Sequence, residues 1–310
     1  MTSGSNVLRE SAVDSEKAGA SMAQPRPFYW SVQRELWENR WIYVGQLAIA
    51  AVCLLGFLIN VTRWVAKMHG VSPANSGVYW ETFAMPYNMV AGVMMATLIL
   101  MNLFYSADAL YGERRDRSIL FWKSLPVSDL TTVLAKATIP LVILPILTIA
   151  TTIATHVVML LLSAIVLPAS GVSLASWWSE VSIFDMWGLL SYHMLTAHGL
   201  WPFPAFCWLL LVSGWARRAP LLWAALPAVA IGGLEQLVFH TSYFAQVVGT
   251  RLIGGGAPTD ITSGSMFPLG PMTHITVGRF LSSPGLWIGF ALAALFLSAA
   301  ARLRRYRDPV

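Results

Sequence analysis

Few residues of this chain are spaced in a way that supports catalysis or nucleotide binding. A phosphate-binding loop has the pattern G-x-x-x-x-G-K-[ST], and none of the four lysines follows such a glycine pair. The zinc-protease pattern H-E-x-x-H and the nucleophile turn G-x-S-x-G are also missing. His193 and His198 are five residues apart, on different faces of a helix, so we expect polar groups there rather than metal ligands. The sequence therefore predicts no catalytic residue, metal site or cofactor on this chain.

The residues best suited to specific binding lie between Phe104 and Lys136, in F-Y-S-A-D-A-L-Y-G-E-R-R-D-R-S-I-L-F-W-K-S-L-P-V-S-D-L-T-T-V-L-A-K. This segment is charged from Glu113 to Arg117, where an i, i+4 pair would support a helix. It then becomes apolar and aromatic before Pro126, where a helix should stop. Ser128 or Asp129 could cap the next helix. The pattern fits a helix that docks on another protein, and it fits equally well a solvated basic loop that orients the chain in a membrane.

The composition identifies the class of protein that carries this loop. Only 11% of the 310 residues are charged, against about 25% in an ordinary soluble domain, and the mean hydropathy is +0.61. This excludes a soluble globular enzyme, a disordered chain and a disulfide-rich secreted module. Cys53 and Cys207 both lie in apolar runs and are expected to pack as small hydrophobic residues. The fold class predicted is an all-α polytopic membrane protein.

Segments without Asp, Glu, Lys or Arg predict six transmembrane helices, because a helix needs about 20 apolar residues to cross the bilayer. Together they form a single transmembrane domain over residues 41–301. The stretch before His198 is polar and rich in tryptophan, so the fourth span should begin near His198. The loop at 168–197 is expected to hold an interfacial helix. The predicted spans are 41–61, 84–105, 138–166, 198–215, 220–239 and 285–301.

The basic residues orient these spans. Sixteen of the 20 Lys and Arg side chains lie before the first span, in the 106–137 loop, after the fourth span and in the 302–310 tail. By the positive-inside rule, both termini and the 106–137 loop are cytoplasmic. The net charge of +5 is therefore a topology signal, and no nucleic-acid partner is predicted. Residues 1–25 are polar and predict a disordered cytoplasmic tail.

Two further segments are expected to lie at the membrane surface. In residues 26–40, an aromatic arc opposes a polar arc, which predicts an interfacial amphipathic helix or an extension of the first span. The external segment 241–284 contains apolar pieces near 243–253 and 271–281 that are too short to cross. They predict re-entrant or interfacial helices around the triple glycine at 254–256, or a lid on the bilayer surface.

Glu235 is the only acidic residue within a predicted span. An intramembrane carboxylate is costly and marks a functional site by default, so Glu235 is a candidate for a substrate path. It could equally reach the membrane interface or cap a neighbouring helix. Asn88 and Asn102 in the second span could line the same path or form hydrogen bonds between helices.

The loop resembles the permease subunits of type-2 (ABC-2) ATP-binding-cassette exporters. These permeases have a similar sequence motif after the second span, F-Y-x-x-D-A-L-Y-x-E-R-R-D-x-S-x-L-F-W-K-S-L-P-x-S-D. The opening R-E-L-W-E-N-R at 34–40 is also similar to the start of such permeases. The residues that match the loop motif are Tyr105, Asp108, Ala109, Leu110, Tyr111, Glu113, Arg114, Arg115, Asp116, Ser118, Leu120, Phe121, Trp122, Lys123, Ser124, Leu125, Pro126, Ser128 and Asp129.

The resemblance implies a function without catalysis on this chain. In that family, the loop carries a coupling helix that docks on a separate cytoplasmic ATPase, which binds ATP and magnesium. Two permeases and two ATPases form the exporter, so a second permease copy is expected as a partner, in a bacterial inner membrane. The second and fifth spans of similar exporters face the translocation path. The residues implied in ATPase coupling are Glu113, Arg114, Arg117, Ser118, Phe121, Trp122, Lys123 and Pro126.

Two other functions compete with this interpretation. An ion-coupled secondary transporter or channel would have several intramembrane charges and an internal repeat, and the sequence offers one such acid and no clear duplication. A membrane-embedded enzyme would need a catalytic cluster, and none is recognisable. The sequence is silent on the cargo.

Overall fold

The computed structural model describes residues 27–69, 76–124, 127–169, 183–253 and 277–306. Every regular element in these ranges is a helix, which confirms the all-α prediction. The predicted tail at 1–25, Pro126 and the triple glycine at 254–256 lie outside the described residues, as do residues 170–182 and 307–310.

The first half of the chain contains a surface helix, three membrane-length helical runs and a loop of two short helices. A π-helical turn at Ile139–Ile143 joins α6 to α7, so that the third run is continuous. The helices are α1 (Pro27–Glu38), α2 (Trp41–His69), α3 (Ser76–Asp108), α4 (Tyr111–Arg115), α5 (Ile119–Lys123), α6 (Asp129–Thr138) and α7 (Leu144–Ala169).

The second half begins with a broken span and ends with a long helix. A second π-helical turn, Thr196–Leu200, extends the first part of the broken span. The helices are α8 (Ile183–Leu195), α9 (Phe203–Trp215), α10 (Pro220–Phe239), α11 (Tyr243–Ile253), α12 (Val277–Leu281) and α13 (Pro284–Tyr306).

Five helical runs in the described residues are long and apolar enough to cross a membrane, and a bent pair makes a sixth. The chain is thus a polytopic membrane protein, and its orientation in the bilayer stays a prediction from charge. The five continuous runs are Trp41–Lys67, Ala84–Arg115, Asp129–Pro168, Pro220–Phe239 and Pro284–Tyr306.

The fourth span differs from its prediction at its start. The expected span began near His198, but helix α8 already begins at Ile183, and its Leu190 and Met194 are buried in the bundle. The helix axis then bends by 42° between Leu200 and Phe203. Pro202 has no N–H to donate to the preceding turn, which explains why the helix breaks there. The sequence did not predict this break, and it assigned the buried half of the span to a surface loop.

The bundle has two packed halves. Helices α2, α3 and α7 share one core, and α9 packs along α13, with the rings of Phe203 and Phe290 6.2 Å apart. Helix α10 is different, because Ala224 is its only buried residue. Side chains such as Leu226, Val229 and Leu237 therefore face outward, where a bilayer would cover them.

Candidate functional site

The loop between α3 and α6 forms two short helices with a sharp turn between them. Arg117 adopts a left-handed backbone conformation, with φ of 56°. This conformation is costly for a residue with a Cβ atom, so it ends α4. A helix therefore forms at Glu113 as predicted, but it ends before Arg117, and the predicted Glu113–Arg117 pair is wrong. Arg115 instead forms the surface pair of this turn, with its Nε 2.9 Å from Asp116 Oδ1.

Glu113 points into the protein instead of toward solvent. Its carboxylate, only 6% exposed, forms an ion pair with Arg304 of α13. It also lies 3.1 Å from Lys136 Nζ and 3.1 Å from Arg34 Nη2. Glu113 is thus not available for direct contact with a partner. It fastens the start of the loop to three other helices.

A second buried carboxylate, Glu35 of α1, completes this arrangement. Lys136 Nζ donates to both Glu35 oxygens, at 2.8 and 2.9 Å, and the Tyr105 hydroxyl donates to Glu35 at 3.0 Å. Arg304 Nε also donates to Asp129 at 3.1 Å. Three acids and three bases therefore neutralise one another, as buried charges must. We call this set the charge cluster: Arg34, Glu35, Glu113, Asp129, Lys136 and Arg304.

Helix α1 joins the charge cluster through its polar arc. Ser31 and Glu35 are its buried residues, whereas Phe28, Trp30 and Trp37 are exposed. Both arcs were visible in the sequence, but the sequence did not indicate which one faces the protein. The outward aromatic arc is the one that an interfacial helix would insert into lipid headgroups.

The two charged residues at the edge of the charge cluster have shifted pKa values. Burial raises the pKa of Glu38, and the opposing attraction of Arg34 does not cancel this effect. Burial by itself would lower the pKa of Arg34, but the neighbouring carboxylates of Glu35 and Glu113 raise it overall. Arg34 therefore stays charged and can satisfy the acids around it.

Arg114 fastens the loop to a fourth helix. Its guanidinium donates to the carbonyl oxygens of Ser213, at 2.9 Å, and Ala216. These carbonyls belong to the end of α9, where the last helical turn lacks backbone partners. The Leu110 N–H donates to Ser213 Oγ at 3.3 Å and adds to this contact. Arg114 is almost fully buried, so like Glu113 it positions the loop and does not present a surface.

The remaining predicted coupling residues that the structure describes lie in α5 or directly before it. Leu120 and Phe121 are 59% and 62% exposed, and Arg117 and Lys123 are exposed beside them. We call these four residues the loop face. The predicted contacts did not include Leu120, although it is almost as exposed as Phe121.

Ser118, Ile119 and Trp122 attach α5 to the rest of the protein on the side opposite the loop face. Ile119 is buried, and Ser118 Oγ donates to the Glu113 carbonyl at 3.4 Å. Trp122 is half-buried, with the Arg34 guanidinium 4.1 Å from its ring centroid. Trp122 thus packs mainly within the chain. Ser128 begins the next helix as its N-cap, accepting from the Thr131 N–H at 3.1 Å.

The predicted pathway residues are spread over the bundle. Glu235 caps helix α11, because its carboxylate accepts from the N–H groups of Tyr243 and Phe244 and from Thr241 Oγ1, each at 2.8 Å. The sequence allowed Glu235 either to line a substrate path or to cap a neighbouring helix, and the contacts fit the cap. No contact of Glu235 in the described residues favours a role in a pathway. Asn102 is fully buried and Asn88 half-buried in α3, and their pathway role stays a prediction.

The two histidines singled out by spacing do meet in the structure. The rings of His193 and His198 are buried, with centroids 5.1 Å apart. Within the described part of the chain, no third His, Cys, Asp or Glu joins them to form a metal-binding group. His198 lies in the π-helical turn before the bend and His193 lies in α8 just before that turn, and both rings pack in the core.

Comparison with known proteins adds no relative. No protein-family model, curated protein or solved structure matches the chain. The functional interpretation therefore depends on the residues and the geometry described above.

Proposed function

We propose that this chain is the non-catalytic permease subunit of an ATP-driven exporter of the ABC-2 class. Two copies would work in a cell membrane with a separate cytoplasmic ATPase, which binds ATP and magnesium. The observation that carries the proposal is the loop between α3 and α6. In this loop the exposed loop face follows directly after Glu113 and Arg114, which are buried and hold the loop to the bundle.

The attachments of the loop suit the transmission of force. Through Glu113, α4 is connected to α1, α6 and α13, and through Arg114 it is connected to α9. Hydrogen bonds between charged groups are shorter and about twice as strong as neutral ones. A displacement of the loop face by a partner would therefore move the ends of several helices together.

The chemistry of the loop face suits a protein partner. Leu120 and Phe121 offer a compact apolar centre, and the cations of Arg117 and Lys123 flank it. Protein interfaces combine an apolar centre with a polar rim, and charges at the rim guide association. The expected docking site on the ATPase is a groove with an apolar floor and acidic edges.

The test is co-expression with each cytoplasmic ATP-binding-cassette ATPase of the source genome, followed by co-purification in detergent. The double variant Leu120→Ala/Phe121→Ala should weaken ATPase binding by roughly 30-fold or more, the effect of losing a central contact. Trp122 is left unchanged because it packs against Arg34.

The matched control is Leu237→Ala/Phe239→Ala. These apolar side chains are at least as exposed, but they lie at the far end of the 20-residue helix α10. We expect ATPase binding to be unchanged in the control. Full ATPase binding by the Leu120/Phe121 variant would contradict the coupling role. Transport by the chain alone in liposomes, driven by an ion gradient without ATP, would instead support a secondary transporter.

A further inference from the structure

A groove runs along the outside of the bundle between α9, α10 and α13. Its deeper part is a cavity of about 370 Å³, and its open part has a volume of about 730 Å³. Both parts are lined by Trp215 and Leu303, so they are continuous. We call this the tryptophan groove. Its further lining includes Trp208, Leu211, Trp223, Leu226, Ala299 and Tyr306.

Aromatic contacts hold the tryptophan groove open. Trp208 forms its floor, because its Nε1 donates to the Ala224 carbonyl of α10 at 3.2 Å and its ring lies 5.4 Å from that of Phe296 in α13. At the wall, Trp215 and Trp223 meet edge to face with centroids 5.1 Å apart. The groove is therefore a built apolar trough of the size typical of ligand sites.

The open end of the tryptophan groove is positively charged. Arg302 lines it directly, and Arg305 lies 5.6 Å from the centre of the Tyr306 ring. Arg217 and Arg218 are exposed in the turn that follows Trp215. Among the described residues, none of these four arginines forms an ion pair with a carboxylate, whereas Arg304 between them belongs to the charge cluster.

We propose that the tryptophan groove binds one anionic phospholipid of the cytoplasmic leaflet. An acyl chain lies between Trp223 and Leu303, and the phosphate lies at Arg302. The apolar trough opens toward the bilayer, and its cationic end lies at the predicted cytoplasmic interface, where tryptophan and arginine favour lipid headgroups. A second copy of this chain is less suited to the groove, because it would bring its own unpaired arginines to the same end. The inference does not depend on the proposed transport function.

The test is lipid retention measured by native mass spectrometry after purification in detergent. The wild-type chain is mixed with phosphatidylglycerol and phosphatidylcholine that carry identical acyl chains. We expect one phosphatidylglycerol to be retained in preference. The variant Arg217→Gln/Arg218→Gln/Arg302→Gln should lose this preference by roughly 100-fold, since each arginine near an anionic headgroup contributes a few-fold in affinity.

Two further variants separate a specific site from general attraction. The control Arg115→Gln/Arg117→Gln/Lys123→Gln removes the same charge from the α4–α5 loop and should retain phosphatidylglycerol like the wild type. Ala299→Trp fills the groove, keeps every arginine and should retain neither lipid.

Equal retention of both lipids by the wild type, or unchanged preference in the Arg217/Arg218/Arg302 variant, would overturn the proposal. Efficient disulfide cross-linking of two chains through Leu226→Cys in membranes would also overturn it, since a second copy would then occupy the groove.

Discussion

The two ends of the helix bundle hold their charged side chains in opposite ways. At the predicted cytoplasmic end, side chains pair with one another across long sequence distances: Lys136 and Glu35 are 101 residues apart, and Arg304 and Glu113 are 191 apart. At the predicted outer end, charged side chains bond to backbone groups. Glu235 caps α11, and Arg251 donates to the carbonyls of Trp201, at 3.1 Å, and Gly285.

The difference bears on how each end can move. A cluster of buried ion pairs depends on every member, because removing one leaves another charge without compensation. The helices that meet at the charge cluster are therefore expected to move together. At the outer end the partners are backbone groups, so the loss of one contact leaves no opposite charge without compensation, and the contacts there can change one at a time. This contrast is what a protein needs if it receives force at one end and opens at the other.

The largest expected effect comes from Lys136→Met. This change leaves Glu35 and Glu113 buried without their shared cation, so the free energy of unfolding should fall by about 3–5 kcal/mol. Denaturant unfolding in detergent measures it. The control Lys123→Met removes an exposed cation and should change stability by less than about 0.5 kcal/mol. Equal, small losses in both variants would mean that the charge cluster does not hold this end together.

A smaller effect is expected from Arg114→Met, which detaches α4 from the end of α9. The carbonyls of Ser213 and Ala216 lose a charged donor, and a hydrogen bond to a charged group contributes about 1.5–3 kcal/mol. We therefore expect a loss of about 2 kcal/mol in unfolding free energy. Hydrogen exchange of residues 213–219 should become faster, while exchange in α11 stays the same. Arg218→Met, at an exposed position in the same turn, is the control. Unchanged exchange at 213–219 would show that the loop is not fastened there.

The spans could be predicted because they depend on local composition alone. A charge-free apolar run must be buried or in lipid whatever its neighbours are, and so five spans and helix α11 were located correctly. The start of the fourth span was missed because the stretch before His198 is polar and rich in tryptophan, which is typical of an interfacial helix. The polar and aromatic arcs of α1 were also found from the 3.6-residue period.

The charge cluster was missed for a different reason. Lys136 and Arg304 were counted as topology signals, and the positive-inside rule counts charges without assigning partners. Glu113 was expected on the surface because its neighbours in sequence are charged. One signal was available: Glu35 and Glu113 are acids in segments rich in arginine, beside apolar helices. Their pairing still depends on three-dimensional contacts between distant segments, which one sequence does not contain.

At the outer end, Glu235→Ala should have a smaller and local effect. The change removes the α10 carboxylate that accepts from the first N–H groups of α11, so the first turn of α11 loses its capping partner. We expect faster hydrogen exchange in residues 243–253 only, with the α4–α5 loop unaffected. Gln236→Ala, at the exposed neighbouring position, is the matched control. Faster exchange near Glu113 in the Glu235 variant would contradict the independence of the two ends.

The smallest effect should come from Arg115→Gln, in the same loop as Glu113 but on its surface. Arg115 donates to Asp116 and lowers the pKa of that carboxyl, but both side chains are more than half exposed. Exposed pairs contribute only about 0–1 kcal/mol, and salt screens them. A carboxyl with a lowered pKa stabilises the fold at neutral pH, and this contribution disappears as the pH falls through that pKa. The variant should therefore match the wild type within about 0.5 kcal/mol at pH 7, and any difference should vanish in acid or at high salt. A salt-independent loss as large as that of Lys136→Met would show that the surface of the loop, and not the buried charge cluster, determines the stability of this end.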